Sequence, residues 1–261
     1  MADLESHVLE NPEDIDARTK VLQVYLDTAP LLPRSDPSRQ SLRLQHILYL
    51  VEHHPEAAVS ASRAAYVYRS AGPTGGPYAD AADHEAVRDR WLAAVQDHPG
   101  SSAVILNAAK FLEREDQDDA EQVLRRAVDA APENRELAAN LGFLYAIEIL
   151  GPNLAAHAKA ELEQSSAILL AAAGTALPNL AVKSNAQAVA DPKIFDLARD
   201  FAERARQLAP DDPDIQGPMP LIRYFAAAQE ELLMTVAMQV PSAPAGIRVR
   251  PTTIEVSVSP N

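Results

Sequence analysis

The sequence predicts an all-α protein, a right-handed α-solenoid of about five helix–turn–helix pairs with a C-terminal capping helix. Three observations support this fold class. Alanine is abundant, aromatic residues are only 5% and there are 9 glycines in 261 residues, which disfavours a β-sheet protein with many tight turns. Prolines recur along the chain, each closing one apolar helical pattern and preceding another. Between them, small and large apolar residues repeat at helical spacing.

The recurring prolines are Pro12, Pro55, Pro99 and Pro132, separated by 43, 44 and 33 residues. A helix–turn–helix repeat of about 34 residues places a proline after its second helix. The last interval nearly has that length. The first two fit if each carries an insertion of about ten residues. Both insertions are visible as turn-rich stretches, at 30–39 and 70–83.

The units agree at their packing positions when they are aligned on these prolines. Small residues recur where two helices must approach, and large residues follow three or four places away on the same face. Gly142 is therefore expected at a close helix contact. First helices are predicted around 17–25, 61–68, 105–112 and 138–145, and second helices around 47–50, 87–94, 120–127 and 154–173.

The C-terminal part is predicted to add a fifth pair and then leave the stack. Pro178 and Pro192 are typical of the first turn of a helix. Residues 220–240 form an amphipathic pattern expected to cap the solenoid domain, which would span 1–240. The chain opens on a half repeat, from natural design or from a missing upstream region. Residues 241–261 are a Pro/Ser-rich extended tail, either disordered or a lone strand that pairs with another protein's sheet.

The fourth unit carries the most specific motif, Ala138-x-x-Leu141-Gly142-x-x-Tyr145. The third unit follows the same pattern over its whole length, with one residue missing at the turn. On these residues the chain resembles the tetratricopeptide repeat family, with alanine at Ala138 where the family has tryptophan. The resemblance implies a concave face, lined by the first helices, that binds a helix or an extended peptide of a partner protein.

The same resemblance implies which residues face the partner. Chaperone-associated members of the family grip a C-terminal carboxylate with asparagines and cations, and Asn107 and Asn140 match two clamp positions. Where the clamp needs further cations, this chain has Ser62, Glu136 and Ala103, so a mixed groove is expected instead. Asparagines at these places also serve as structural links between helices. The candidate partner-binding residues are Gln23, Arg63, Tyr66, Asn107, Lys110, Asn140 and Phe143.

Charge and residue types disfavour several other function classes. Acidic residues outnumber basic ones by 37 to 23, for a net charge of −14, which disfavours nucleic acid as a direct ligand. The chain has no cysteine, hence no thiolate zinc site or thiol catalysis. Its histidines, His84 and His157 among them, show no metal-ligand spacing. The acidic run at 113–119 is expected to be a solvated turn with an aspartate cap for the next helix. The sequence therefore predicts no metal, no cofactor and no enzyme.

The expected function is a protein–protein interaction scaffold or adaptor. No signal peptide and no apolar run of about 18 residues is present, so the expectation is a cytoplasmic protein without membrane insertion. A signal sequence upstream of the chain would place it in the periplasm instead. Two alternatives stay open: a soluble repeat module of a bacterial envelope transport or energy-transduction assembly, and a small-ligand binder or enzyme with a pocket in the superhelix. The partner's identity and the oligomeric state are left undetermined.

Overall fold

The computed structural model describes residues 2–29, 37–70, 78–151, 155–184 and 192–216. These residues are mostly helical, and no β-strand occurs among them. The predictions for 220–240 and for the tail lie outside the described residues. The helices are α1 Ala2–Glu10, α2 Ile15–Thr28, α3 Pro37–His53, α4 Ala81–Asp97, α5 Ser102–Leu112, α6 Gln117–Ala130, α7 Arg135–Leu150, α8 Ala155–Glu163, α9 Ala167–Ser184, α10 Pro192–Leu208 and the short α11 Pro213–Gln216.

The helices end where the prolines predict. Each of the four recurring prolines stands two residues after a helix, following α1, α3, α4 and α6 in turn. The next helices then start on side-chain caps. Asp14 accepts a hydrogen bond from the backbone N–H of Ala17 at 2.8 Å, and Asn134 accepts from Glu136 and Leu137. Each cap satisfies an amide that has no partner inside its own helix.

The predicted helix over 61–68 is wrong. Two short 3₁₀ helices, Ala58–Ala61 and Arg63–Ala65, occupy the segment, and Tyr66 after them is extended. In an α-helix these carbonyls would bond to amides four residues ahead. Here neighbouring helices supply the donors. Arg43 of α3 donates to the carbonyls of Ala64 and Tyr66, both at 2.8 Å.

Two further side chains hold the same segment. The imidazole of His84 (α4) donates from Nδ1 to the carbonyl of Val67 at 2.6 Å. Asn107 (α5) donates to the carbonyls of Pro55 at 2.9 Å and Ala57 at 3.2 Å. Buried carbonyls must find a partner, and these tertiary contacts replace the ladder of a helix. Residues 54–70 thus form an irregular strap in the place of a first helix.

The region after α7 also differs from its prediction. The single helix expected over 154–173 is two helices, α8 and α9, because Ser166 interrupts it and its hydroxyl faces the amide of Leu169 at 3.5 Å. Pro178 lies inside α9 and does not start a helix, so that prediction is wrong. Pro192 does begin α10, as predicted.

The tightest helix contacts lie at two glycines. A Cβ built on Gly142 of α7 would stand 2.5 Å from the carbonyl oxygen of Leu169 in α9. One built on Gly174 of α9 would stand 2.9 Å from the carbonyl oxygen of Ala198 in α10. The predicted close contact at Gly142 is therefore present, and it brings α7 and α9 together backbone to backbone. One continuous apolar core runs from Leu22 to Ile215, and a smaller cluster joins α1 and α2. None of the described helices is both long and apolar enough to span a bilayer.

Candidate functional site

An apolar depression lies between α7 and α9, and we call it the α7–α9 groove. Its volume is about 550 Å³. The glycine contact at Gly142 draws the two helices together, and small side chains along both of them leave the surface above the contact unfilled. The lining residues are Arg135, Ala139, Phe143, Ile168, Ala171, Ala172, Thr175, Ala176, Asn179, Asp214 and Ile215.

Phe143 is the large apolar side chain on the α7 wall of this groove. It lies one helical turn after Ala139, so the two residues share a face of α7. The residue is 36% exposed, which is unusual for an aromatic ring among apolar neighbours. On the other wall, Ile168, Ala172 and Ala176 follow at intervals of four. An open apolar strip between two helices fits the apolar face of a third helix.

An ion pair joins Arg135, at the edge of the groove, to Asp212, the residue before α11. The guanidinium of Arg135 donates two hydrogen bonds to the carboxylate of Asp212, at 2.8 and 3.0 Å. This bond lowers the pKa of Asp212 and raises the pKa of Arg135. A two-bond arginine–carboxylate pair has a fixed geometry, so it holds α11 and its buried Ile215 against the start of α7. The groove therefore has an apolar floor and a charged, oriented edge.

The predicted partner-binding residues are spread over several elements. Of the seven, Phe143 alone lines the α7–α9 groove as the described residues form it. Asn140 lies one turn from Glu136 and donates its amide to that residue's carbonyl at 2.8 Å. Three others are exposed on separate elements: Gln23 on α2, Arg63 on the second 3₁₀ helix and Lys110 on α5.

Tyr66 and Asn107 are buried, which removes them from any exposed binding face. Tyr66 packs its ring against Phe111 with centroids 4.9 Å apart. Asn107 is 7% exposed, and its side-chain amide donates hydrogen bonds to two backbone carbonyls. For Asn107 the structural alternative, a link between elements, is therefore the right one. Its partners, the carbonyls of Pro55 and Ala57, lie at the start of the strap, before the segment that was predicted to be a helix.

A buried charged network joins α4 to the turn before α6. His84 is enclosed between the carbonyl of Val67 and the carboxylate of Asp116, whose Oδ2 lies 2.7 Å from Nε2. Arg69 bonds to the other oxygen of Asp116. The predicted solvated turn with an aspartate cap is wrong at this residue, since Asp116 is buried and its carboxylate caps no amide. These hydrogen bonds connect the strap, through Val67 and Arg69, to α4 and to the turn before α6.

Three potential metal ligands that the sequence did not single out meet where α6, α7 and α8 pack together. Glu121, Glu148 and His157 each place a ligand atom within 4.8 Å of the other two. Burial, together with the charge of Glu121, raises the pKa of Glu148 to about 7. The hydrogen bond to Glu121 raises the pKa of His157. We call these residues the Glu121–Glu148–His157 cluster.

No protein-family model, no curated protein and no solved structure matches this chain. The tetratricopeptide resemblance therefore rests on the residues of the chain itself.

Proposed function

We propose that the protein is a helical-repeat scaffold that binds an amphipathic helix of a partner protein in the α7–α9 groove. The observation that carries the proposal is the groove itself, an open apolar channel of about 550 Å³ with Phe143 partly exposed on its wall. Large side chains, aromatic ones above all, that become fully buried at the centre of an interface often supply most of its binding energy. A guest helix would pack its apolar residues against Phe143 and Ile168.

The architecture we infer is a tetratricopeptide-like right-handed solenoid. Helices adjacent along the chain pack as successive pairs, α2 with α3, α5 with α6, α7 with α8 and α9 with α10. First helices also touch across pairs, α5 with α7 and α7 with α9. The second pair departs from this pattern, since the strap replaces its first helix. In such a stack the exposed faces of the first helices form the recognition surface.

The chain's charge points to a basic partner. A net charge of −14 attracts cationic proteins over long range and repels acidic ones. The guest is therefore expected to carry Lys and Arg flanking its apolar face. Apolar contacts with the groove would set the dissociation rate, and the surrounding charge would speed the encounter.

The test replaces Phe143 with aspartate and compares capture from a lysate with capture by wild type. Leu9→Asp is the matched control, because Leu9 is an exposed apolar residue on α1. Circular dichroism and a thermal melt check that both variants fold. The captured protein is then identified, and the affinity of a synthetic peptide from its helical segment is measured.

We expect Phe143→Asp to lower the affinity for that peptide at least about tenfold, which is the loss typical of a central aromatic contact. Leu9→Asp should bind the peptide like wild type. Equal binding by a folded Phe143→Asp variant would show that the partner does not occupy this groove. A captured partner without a helical apolar segment would contradict the proposed binding mode.

A further inference from the structure

The Glu121–Glu148–His157 cluster combines three rigid helices at one point. Glu121 comes from α6, Glu148 from α7 and His157 from α8. The Nε2 atom of His157 lies 3.0 and 2.9 Å from the two carboxylate oxygens of Glu121. Side chains that project from packed helices are positioned more firmly than side chains on loops.

Glu148 is the unexpected member of the cluster. It is 1% exposed, and neither of its carboxylate oxygens has a hydrogen-bond partner among the described residues. A buried carboxylate without a partner is strongly unfavourable, and a leucine would fit the apolar face of α7 at lower cost. Glu148 points toward Glu121 and His157, so the missing partner belongs between these three residues.

We propose that Glu121, Glu148 and His157 bind a divalent transition-metal ion of the Zn²⁺ type. Two carboxylates balance the double charge of the ion. An imidazole ligand favours zinc and its neighbours in the first transition row over magnesium or calcium, which prefer oxygen ligands alone. Three protein ligands around a tetrahedral ion leave a fourth position for water.

The geometry needs only small side-chain movements. Ligand atoms 2.0–2.1 Å from a tetrahedral zinc ion stand about 3.3 Å from one another. The ligand atoms now lie within 4.8 Å of one another, and rotation of the glutamate and imidazole side chains would have to bring them to that spacing. When the ion binds, Nε2 of His157 exchanges its hydrogen bond to Glu121 for the metal.

Neighbouring groups already orient Glu121 as outer-shell residues do around metal ligands. The hydroxyl of Tyr145 donates to its Oε1 at 3.0 Å, and Arg125 donates to the same oxygen at 3.0 Å. Access is also available. The side chain of His157 is 42% exposed, and Glu148 lines a polar cavity of about 620 Å³.

The test titrates Zn²⁺ into the full chain, prepared without a histidine tag and stripped with a chelator, by calorimetry and by thermal melts. We expect one ion per chain and a rise in melting temperature of about 5–10 °C at a hundredfold excess over the dissociation constant. Mg²⁺ should not substitute for Zn²⁺. The variants are Glu148→Gln and His157→Ala, with His98→Ala as control, since His98 is an exposed histidine at the end of α4.

Both cluster variants should lower the affinity for Zn²⁺ at least about tenfold, because even changes to residues that only orient the ligands lower metal affinity by that factor. His98→Ala should bind Zn²⁺ like wild type. If wild type does not bind Zn²⁺ and Glu148→Gln raises the melting temperature, Glu148 is held as the neutral acid and the proposal is wrong. Binding that only His98→Ala weakens would also overturn it. The result is independent of the proposed groove, since no residue of the cluster lines it.

Discussion

Replacing Gly142 with alanine tests the contact on which the groove depends. The new Cβ would stand 2.5 Å from the carbonyl oxygen of Leu169 and 2.9 Å from the Cβ of Ala172. An ordinary carbon–oxygen contact is about 3.3 Å, so α9 must move away from α7 by roughly 0.8 Å. A backbone oxygen cannot rotate aside as the end of a side chain can. The displacement therefore involves the whole helix.

The expected loss of stability is about 2 kcal/mol. Overpacking a close contact costs about 1–3 kcal/mol, and the upper end applies because backbone must shift. Alanine stabilises the interior of a helix by about 1 kcal/mol relative to glycine, and this gain offsets part of the overpacking cost. For a chain of this size the net loss lowers the melting temperature by about 4–8 °C. Gly142→Leu should lose more, since its longer side chain must also be placed.

Urea denaturation followed by circular dichroism measures the effect, with Gly100→Ala as the matched control. Gly100 lies in the turn between α4 and α5, and a Cβ there would meet nothing within 4 Å. The control should stay within about 0.5 kcal/mol of wild type. If both variants unfolded at the same urea concentration, the close approach of α7 and α9 at Gly142 would be refuted.

Two further changes test the strap at 54–70. Asn107→Ala should lower the free energy of unfolding by about 1–3 kcal/mol, because two buried carbonyls lose their donor. The control Asn140→Ala breaks one hydrogen bond within its own helix and should cost less than half as much. Equal losses in urea denaturation would contradict this assignment. Asp116→Ala should lower the free energy of unfolding by about 3–5 kcal/mol, since it leaves Arg69 and the enclosed His84 without their shared acceptor. If the variant melted at the wild-type temperature, this network would not stabilise the fold.

Much of the helical framework is predictable because its signals are local. Apolar periodicity, a cap such as Asp14 and a proline two residues past a helix end are read within one turn of the chain. This reasoning failed for the strap, where it predicted a helix. Ala61, Ala64 and Ala65 repeat at helical spacing, yet the segment's carbonyls bond to Arg43 and to other side chains distant in sequence. These tertiary hydrogen bonds outweigh the local helix propensity of the segment. They cannot be predicted from a local sequence pattern, because their donors lie far away along the chain.

The candidate sites divide in the same way. Phe143 could be named as a candidate binding residue because its position follows from the phase of one helix. The Glu121–Glu148–His157 cluster was missed because its members lie on three helices, with no fixed spacing between them. One signal was available in the sequence. Glu148 continues the buried stripe of Leu141 and Tyr145 on α7, and a carboxylate on an apolar stripe marks a buried charge that needs a partner.

Helix α7 carries both proposed sites on different faces, which allows them to be separated experimentally. Phe143 faces the groove that α7 forms with α9, while Glu148 faces α6 and α8. A displacement of α9, as Gly142→Ala requires, changes the width of the groove, whereas the three metal ligands lie on α6, α7 and α8. Conversely, an ion bound by Glu121, Glu148 and His157 ties α8 to α6 and α7 without touching the α9 wall. Helix α7 is thus a shared element, and each proposal depends on a different partner helix.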